Sequence, residues 1–396
     1  MFKVRLSKLA RLVIPPIILF MLGVIAYRDP GTLSLMSMSA LLVLYMYLKP
    51  RRDFDAFSLA VLLGLFCYPI YYVNKINGQD LAFIIPLALF FLELASKNFS
   101  GLKDIDLVDH YRLVMLILLV LSCVQVFSVF WLAFYLLASA SIVPITKASK
   151  SIATPYLWLF LVLAALVLRG VFSWDGYGRL VYITYLFIPL VFAQRARILK
   201  IPIFLVPLCV GIGLYFMQAI RADSVDTLDL LLMGSAGHHI ILTNDIIKTG
   251  SIYSISAFFE QYFLMFFNWL PRMIFPDKPI GIGFTSVYDI FPGAADFGSN
   301  YSHSVGFVGE SALFFGDFFL IGLMFYAVGI FAINRLLQLL LSEIKVMVPV
   351  VIYMATLSYL WGGGAAFGGR IWQPTFALIL CNIVLVVSKA RFRGIK

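Results

Sequence analysis

The sequence predicts an all-α polytopic membrane protein with about twelve transmembrane helices and one large outward loop that contains short or re-entrant helices. Hydrophobic residues make up 62% of the 396 residues and charged residues only 13%, against roughly 25% charged residues in a soluble domain. The apolar runs continue for roughly 15 to 20 residues, whereas the strands of an outer-membrane barrel alternate over about 10 residues. Because helices satisfy their own backbone polar groups in lipid, these runs are predicted to be membrane helices.

Twelve apolar segments are predicted to cross the membrane, several of them shorter than the roughly 20 residues of a straight crossing. Residues 111–145 allow either two short spans or one long kinked helix, and only two spans keep the count even. We divide the chain into an N-terminal bundle (1–219), a large outer loop (220–310) and a C-terminal bundle (311–396). The predicted spans are 12–28, 33–48, 56–73, 81–96, 111–125, 128–145, 155–171, 177–194, 201–219, 311–335, 346–361 and 371–388.

Basic residues concentrate at both termini and in alternate short loops, and such residues are retained on the cytoplasmic side. Both termini are therefore predicted to be cytoplasmic. Residues 220–310, which we call the polar island, then lie outside, in the periplasm or at the outer membrane face. The polar island has four basic and nine acidic residues, a net charge of −5, whereas the whole chain carries +10. The positive excess is thus a topology signal, and no nucleic-acid partner is predicted.

The four cysteines give no sign of a metal site or a disulfide framework. Cys67, Cys123, Cys209 and Cys381 lie singly in separate apolar segments, without the close spacing that metal ligands require. Neither a metal nor another cofactor is predicted.

Five arginines are predicted to face outward, against the usual bias of basic residues toward the inside. They are Arg169, Arg179, Arg221, Arg272 and Arg370. Any one of them could be an interface anchor with an extended side chain. Five from separate loops instead indicate a shared anionic ligand, because the guanidinium fork matches phosphate. A pyrophosphate-linked lipid fits this set best.

Three glycine-rich or aromatic stretches are predicted to be irregular or only partly inserted. Residues 251–274 are rich in aromatic side chains, and a re-entrant or interfacial helix is preferred to a crossing, which would break the parity of the termini. Glycines and prolines between 276 and 298 predict a loop with turns. Residues 362–369 predict the last outer loop.

Two short motifs stand within the polar island and at its end. Residues 271–279 have the pattern P-R-x-x-x-P-x-K-P, and residues 309–316 have the pattern G-E-x-x-x-x-F-G. In this order and spacing they resemble the signatures of bacterial O-antigen or oligosaccharide repeat-unit polymerases of the Wzy type. Ten residues separate Arg272 from Gly283, an R-x10-G arrangement that also resembles the outer loops of that family. Arg221 departs from this arrangement, because its nearest following glycine is Gly234.

The resemblance implies a metal-independent glycosyltransferase of the C superfamily in the bacterial inner membrane, with its active site facing the periplasm. It implies polymerisation of undecaprenyl-pyrophosphate-linked oligosaccharide repeat units, with lipid-linked donor and acceptor, membrane lipid and a chain-length-determining co-polymerase as partners. Lys278 of the first motif becomes a substrate-binding candidate. An O-antigen ligase or other lipid-linked glycosyl transferase is the first alternative, favoured by the pair His303-Ser304. A flippase is the second, disfavoured by the scarcity of charges within the spans.

Four residues of the polar island are candidates for contacting the acceptor or the sugars. Glu310, where the chain re-enters the membrane, is the leading candidate for the base, or else a carboxylate that favours a helix N-terminus. His303 is the second candidate base, or a surface residue. His238, on a predicted amphipathic helix over 237–248, is a sugar contact or a packing residue. Tyr301 is placed to stack on a sugar or to lie at the membrane interface.

Overall fold

The computed structural model describes residues 8–28, 82–96, 109–123, 130–149, 151, 153–173, 179–199, 237–250, 252–290 and 304–393. Every regular element within these ranges is a helix. The predicted spans 33–48, 56–73 and 201–219 lie outside the described residues. The helices are α1 Lys8–Arg28, α2 Ile84–Ser96, α3 Asp109–Cys123, α4 Trp131–Ala140, α5 Ile142–Ala148, α6 Ala153–Ser173, α7 Arg179–Arg195, α8 Gly237–Thr249, α9 Ile255–Phe267, α10 Ile282–Ile290, α11 Gly306–Phe315, α12 Phe319–Leu340 and α13 Met347–Arg393.

Four helical segments are long and apolar enough to cross a membrane. One of them, in α6, exposes large apolar side chains such as Phe160 and Val167, a surface that suits lipid rather than water. The described chain is thus an all-helical protein with membrane-spanning candidates, as predicted, while the count of twelve spans stays a prediction. The four segments are Trp131–Ala148, Ala153–Phe172, Gly306–Leu340 and Met347–Val387.

Three helices lie in the described parts of the predicted stretch 111–145, namely α3, α4 and α5. Helix α3 ends at Cys123 and α4 begins at Trp131. The two helices pack against each other, and the Trp131 indole N–H donates to the Cys123 sulfur at 3.3 Å. These contacts agree with two segments in this stretch, while two membrane crossings stay a prediction.

The segment Gly306–Leu340 reverses direction at Gly316. A straight helix would separate residues 310 and 326 by about 24 Å, yet the Tyr326 hydroxyl donates to Glu310 Oε1 at 2.5 Å. Gly316 has a φ of 54°, a conformation that side chains with a Cβ strongly disfavour. Helices α11 and α12 therefore pack side by side in opposite directions. The predicted start of the span 311–335 was wrong. Residues 311–315 belong to α11, which precedes the reversal, and α12 begins only at Phe319.

Helix α13 also folds back, at Gly363. The Asn382 side chain donates to the Leu340 carbonyl at 3.1 Å and accepts from the Glu343 N–H at 2.8 Å. Residue 382 therefore lies at the end of α12, beside the start of α13 at Met347. Because a straight helix would separate residues 347 and 382 by about 52 Å, the chain must turn back between them. Gly363, with a φ of 77° and a ψ of −164°, is the non-helical residue at which it does so.

The predicted outer loop 362–369 is helical except at Gly363. Its glycines serve close packing instead of a loop. A Cβ at Gly364 would meet the Tyr326 ring, and one at Gly368 would meet the backbone carbonyl of Leu264. Small residues allow such close approach between helices in a membrane, which is why a glycine run typical of a loop is folded as a helix here.

Part of the polar island folds onto α11, α12 and α13. Helix α9 has 13 residues, about 20 Å in length, too short to cross a bilayer. It packs along α12, with Phe258 and Tyr262 against Tyr326. This length agrees with the interfacial or re-entrant interpretation, which stays a prediction. Helix α8 forms where an amphipathic helix was predicted.

Helix α10 corrects the prediction of a loop after residue 276. Gln261 of α9 explains the difference, because its side-chain oxygen accepts from the Ile282 N–H at 2.9 Å. An N-terminal amide that a helix leaves without a partner is thereby satisfied from a neighbouring element. The Ser286 hydroxyl donates to the Ile282 carbonyl at 2.6 Å within the same helix.

We expect Gly316→Ala to destabilise the protein by about 1–3 kcal/mol, because alanine is strained at this backbone conformation. Thermal unfolding in detergent measures the effect. Gly170→Ala is the matched control, since Gly170 lies inside α6 and its added Cβ would make only an ordinary contact with Tyr182. Equal melting temperatures for Gly316→Ala and the wild type would contradict the reversal at Gly316.

Candidate functional site

A cleft of about 380 Å³ lies where the P-R-x-x-x-P-x-K-P motif meets α13 and the start of α11. The end of α9 and the motif form one side. The beginning of α10 also lines the cleft. The turn of α13 at Gly363 contributes further lining residues. The lining residues are Leu264, Asn268, Arg272, Lys278, Pro279, Ile280, Gly281, Ile282, Gly283, Phe284, Ser304, Val305, Gly362, Ala365 and Ala366.

The motif closes on itself through its two basic residues. Arg272 Nη2 donates to the Pro279 carbonyl at 3.3 Å. Lys278 Nζ donates to the carbonyls of Asn268 and Leu270 at 2.6 and 3.1 Å. These carbonyls follow the C-terminus of α9, where a cation is favoured by the helix dipole. Lys278 therefore stabilises the end of α9 as well as lining the cleft.

Two amides that the sequence analysis did not single out hold the motif in place. The Asn268 side chain donates to the Ala365 carbonyl at 2.9 Å and so links the motif to α13. The Gln261 amide donates to the Ile280 carbonyl at 2.7 Å, in addition to its bond with the N-terminus of α10. A glutamine within the aromatic run of residues 253–269 was the signal available in the sequence.

The cleft has positive charge, and the described residues that line it include no carboxylate. Arg272 is exposed and Lys278 is half-buried. Burial lowers the pKa of the Lys278 ammonium, and the nearby charge of Arg272 lowers it further. Such a pair of cations attracts an anion into the cleft.

Exposed apolar side chains occur in the motif and in the lining of the cleft. Met273 and Ile274, between the two basic residues of the motif, are 90% and 68% exposed. Ile280 and Phe284, which line the cleft, are also exposed. The surface around the cleft thus joins a cationic centre to an apolar rim, a combination that matches an amphiphile with an anionic head group.

Glu310 lies beside this cleft but is not among its lining residues. Its side chain is fully buried. One oxygen accepts from the Tyr326 hydroxyl at 2.5 Å and the other from the Gly364 N–H at 2.8 Å. The carboxyl group therefore joins α11, α12 and the turn of α13.

Arg169 and Arg370 are not among the residues that line the cleft. The Arg169 guanidinium lies over the Trp131 ring at 5.7 Å and is within 3.5 Å of the Ser122 carbonyl. Arg370 follows Ala366 by one helical turn on α13, so the two share a face.

For two of the remaining predicted site residues the structure describes the backbone alone. Arg179 begins α7, and His238 is the second residue of α8. Arg221, Tyr301 and His303 lie outside the described residues, although Ser304, which follows His303, lines the cleft. Of the predicted site residues that the structure describes, Arg272 and Lys278 are thus the two that line the cleft.

Comparison of the chain with protein-family models, curated proteins and solved structures finds no match. The resemblance to repeat-unit polymerases therefore rests on the two motifs, and the family assignment stays a prediction.

As the pH rises, we expect anion binding at the cleft to weaken. The weakening should begin at a lower pH than it would at a site whose lysine has the ordinary pKa. Lys278 is cationic below its pKa, which lies under the usual 10.5, and becomes neutral as the pH rises through that lowered value. In Lys278→Arg the charge persists, because arginine stays protonated. Titration calorimetry with sulfate, whose charge is constant over this range, measures both proteins from neutral to alkaline pH.

Superimposable pH profiles for the wild type and Lys278→Arg would contradict the assignment of Lys278 to the anion site. Lys345→Arg is the matched control, since Lys345 lies between α12 and α13 and does not line the cleft.

Proposed function

We propose that this protein is a repeat-unit polymerase, which transfers a growing glycan from undecaprenyl pyrophosphate to a lipid-linked oligosaccharide repeat unit. The observation that carries the proposal is the cleft at the motif, where Arg272 and Lys278 lie among exposed apolar side chains. A polyprenyl diphosphate has the matching chemistry, with a dianionic or more highly charged head on a hydrocarbon tail. The reaction belongs to the synthesis of O-antigen or a related surface polysaccharide.

In the proposed reaction the bond between the anomeric carbon of the donor glycan and the pyrophosphate oxygen breaks. A hydroxyl oxygen of the acceptor unit forms the new bond to that carbon and loses its proton to a base. Negative charge develops on the departing pyrophosphate. Arg272 and Lys278, fixed by their bonds to carbonyls of the motif loop, stabilise that charge, and losing one such donor costs about 10² to 10³ in rate.

His303 is the proposed base in this scheme, because the next residue, Ser304, lines the cleft. A general base must come within hydrogen-bond reach of the proton that it removes. No metal ion takes part in the proposed mechanism.

The proposal places the protein in the bacterial inner membrane with both termini in the cytoplasm and the cleft toward the periplasm. A chain-length-determining co-polymerase is its proposed partner. An O-antigen ligase is the second candidate, and the observation that favours it is the position of Ser304 in the cleft, since the His303-Ser304 pair is the feature that resembles ligases.

We expect Arg272→Ala to reduce polymerisation by about 10² to 10³, the cost of removing one donor to a developing anion. The measurement is the length distribution of surface polysaccharide in a strain that lacks the native gene and carries the variant. A single repeat unit on the lipid core is the expected product. Arg335→Ala is the matched control, because Arg335 contacts the Phe331 ring on α12 and does not line the cleft.

Other polysaccharide patterns in the same experiment would contradict the role of Arg272 or indicate a ligase or a flippase. An intact repeat-unit ladder with Arg272→Ala contradicts the role of Arg272. Absence of any unit on the core indicates a ligase, and units trapped on the cytoplasmic side indicate a flippase.

Purified protein in lipid vesicles is expected to elongate glycan in the presence of excess chelator. The two cleft cations can supply the charge stabilisation that a divalent ion gives in metal-dependent enzymes. Chain length after EDTA treatment measures this. Loss of elongation that magnesium restores would contradict the metal-independent mechanism.

A further inference from the structure

The turn of α13 forms one wall of the cleft, and a buried carboxyl group on α11 holds this turn. We infer that Glu310 is a positioning residue that fixes the cleft wall through Gly364, rather than the base of the reaction. The statement that Glu310 is not the base rests on the proposed function. The statement that Glu310 fixes the cleft wall rests on the geometry of the turn.

Glu310 reaches the wall through a backbone hydrogen bond. Its Oε2 accepts from the Gly364 N–H at 2.8 Å. Gly362, Ala365 and Ala366, on either side of Gly364, line the cleft. A shift of the Gly364 amide would therefore move residues that the substrate contacts.

The other carboxyl oxygen is fixed by α12. Tyr326, itself fully buried, donates its hydroxyl to Oε1 at 2.5 Å. Because the rotamer of Glu310 is held from this side, the Gly364 amide is held at a defined distance from both α11 and α12. Each of the three chain segments depends on the same carboxyl group.

Gly363 and Glu310 fit each other sterically. A Cβ at residue 363 would overlap the carboxyl group of Glu310. Gly363 also has a φ of 77°, which disfavours any residue with a Cβ. Two independent constraints thus require glycine at the turn, and one of them exists only because Glu310 occupies the space.

The same geometry argues against Glu310 as the base. Both of its oxygens accept hydrogen bonds from the protein, its side chain is fully buried, and it does not line the cleft. A base has to contact the hydroxyl proton directly or through one water. Glu310 influences the reaction through the wall that it holds.

Comparison of Glu310→Gln with Glu310→Ala separates the two roles. A glutamine oxygen can still accept from the Gly364 N–H, while its amide donates to the Tyr326 oxygen. We expect Glu310→Gln to keep kcat near the wild-type value, and Glu310→Ala to raise KM by about tenfold or more, because alanine removes both hydrogen bonds that fix the wall. Initial rates of glycan elongation in vesicles give kcat and KM.

A loss of about 10² to 10⁴ in kcat for Glu310→Gln, with KM unchanged, is the result expected of a general base and would overturn the inference. Recovery of the wild-type KM by glutamine supports it, since a side chain that only filled space would be replaced equally well by an apolar residue. Glu310→Leu is included for that comparison.

A second measurement needs no enzymatic activity. We compare the fall in melting temperature caused by Gly363→Ala in the wild type and in Glu310→Ala. The fall is expected to be smaller in Glu310→Ala, because the group that the new Cβ would overlap is absent. Gly250→Ala is the matched control, since Gly250 has a φ of 83° but no atom within 4 Å of an added Cβ, so that it reports backbone strain alone.

Equal falls in both backgrounds would overturn the steric link between Gly363 and Glu310. Failure of the wild-type protein to elongate glycan would instead contradict the proposed function, and the melting temperatures would still test the link. The two failures are therefore distinguishable.

Discussion

The Glu310 carboxyl group is the interaction on which the arrangement around the cleft depends. It accepts hydrogen bonds from Tyr326 and Gly364 and so ties a short helix, a long helix and a turn. A fully buried carboxyl group is costly unless its oxygens have donors. Two donors from different elements meet this need, and a loss of either would leave a buried polar group without a partner.

Two chain reversals create the need for such a contact. At Gly316 and Gly363 the backbone leaves the helical conformation beside helices that are apolar enough to lie in lipid. In hydrocarbon, backbone groups that a helix does not satisfy must find partners inside the protein. The Gly364 amide finds one in Glu310, and the amide of Ile282, at the start of α10, finds one in Gln261.

The cleft combines fixed cations with an apolar rim because the motif is anchored at several points. Lys278 holds the end of α9, Asn268 holds α13, and Arg272 closes the loop on Pro279. Groups that are already oriented lose little freedom when an anion binds, which favours the charge-stabilising role. The exposed Met273 and Ile274 lie between these cations in the sequence, so cationic and apolar groups belong to one short segment.

The helical class and the positions of most described helices could be predicted from the sequence. Hydropathy is a local property, and α6 and α7 lie close to the predicted spans 155–171 and 177–194. The motif that forms the cleft, with Arg272 and Lys278, was also identified. The glycines of residues 362–369 were assigned to a loop, because their close packing against Tyr326 and Leu264 has no signature along the chain.

The sequence by itself determined that the chain is helical, apolar enough for a membrane, and marked by one basic, proline-rich motif. Only the tertiary structure decided that the chain reverses at Gly316 and Gly363 and that Glu310 faces Tyr326 and Gly364. The physical reason lies in the range of the interactions. Helix formation in lipid is set by backbone hydrogen bonds four residues apart, whereas the contacts of Glu310 join residues separated by 16 and 54 positions and depend on how whole helices pack.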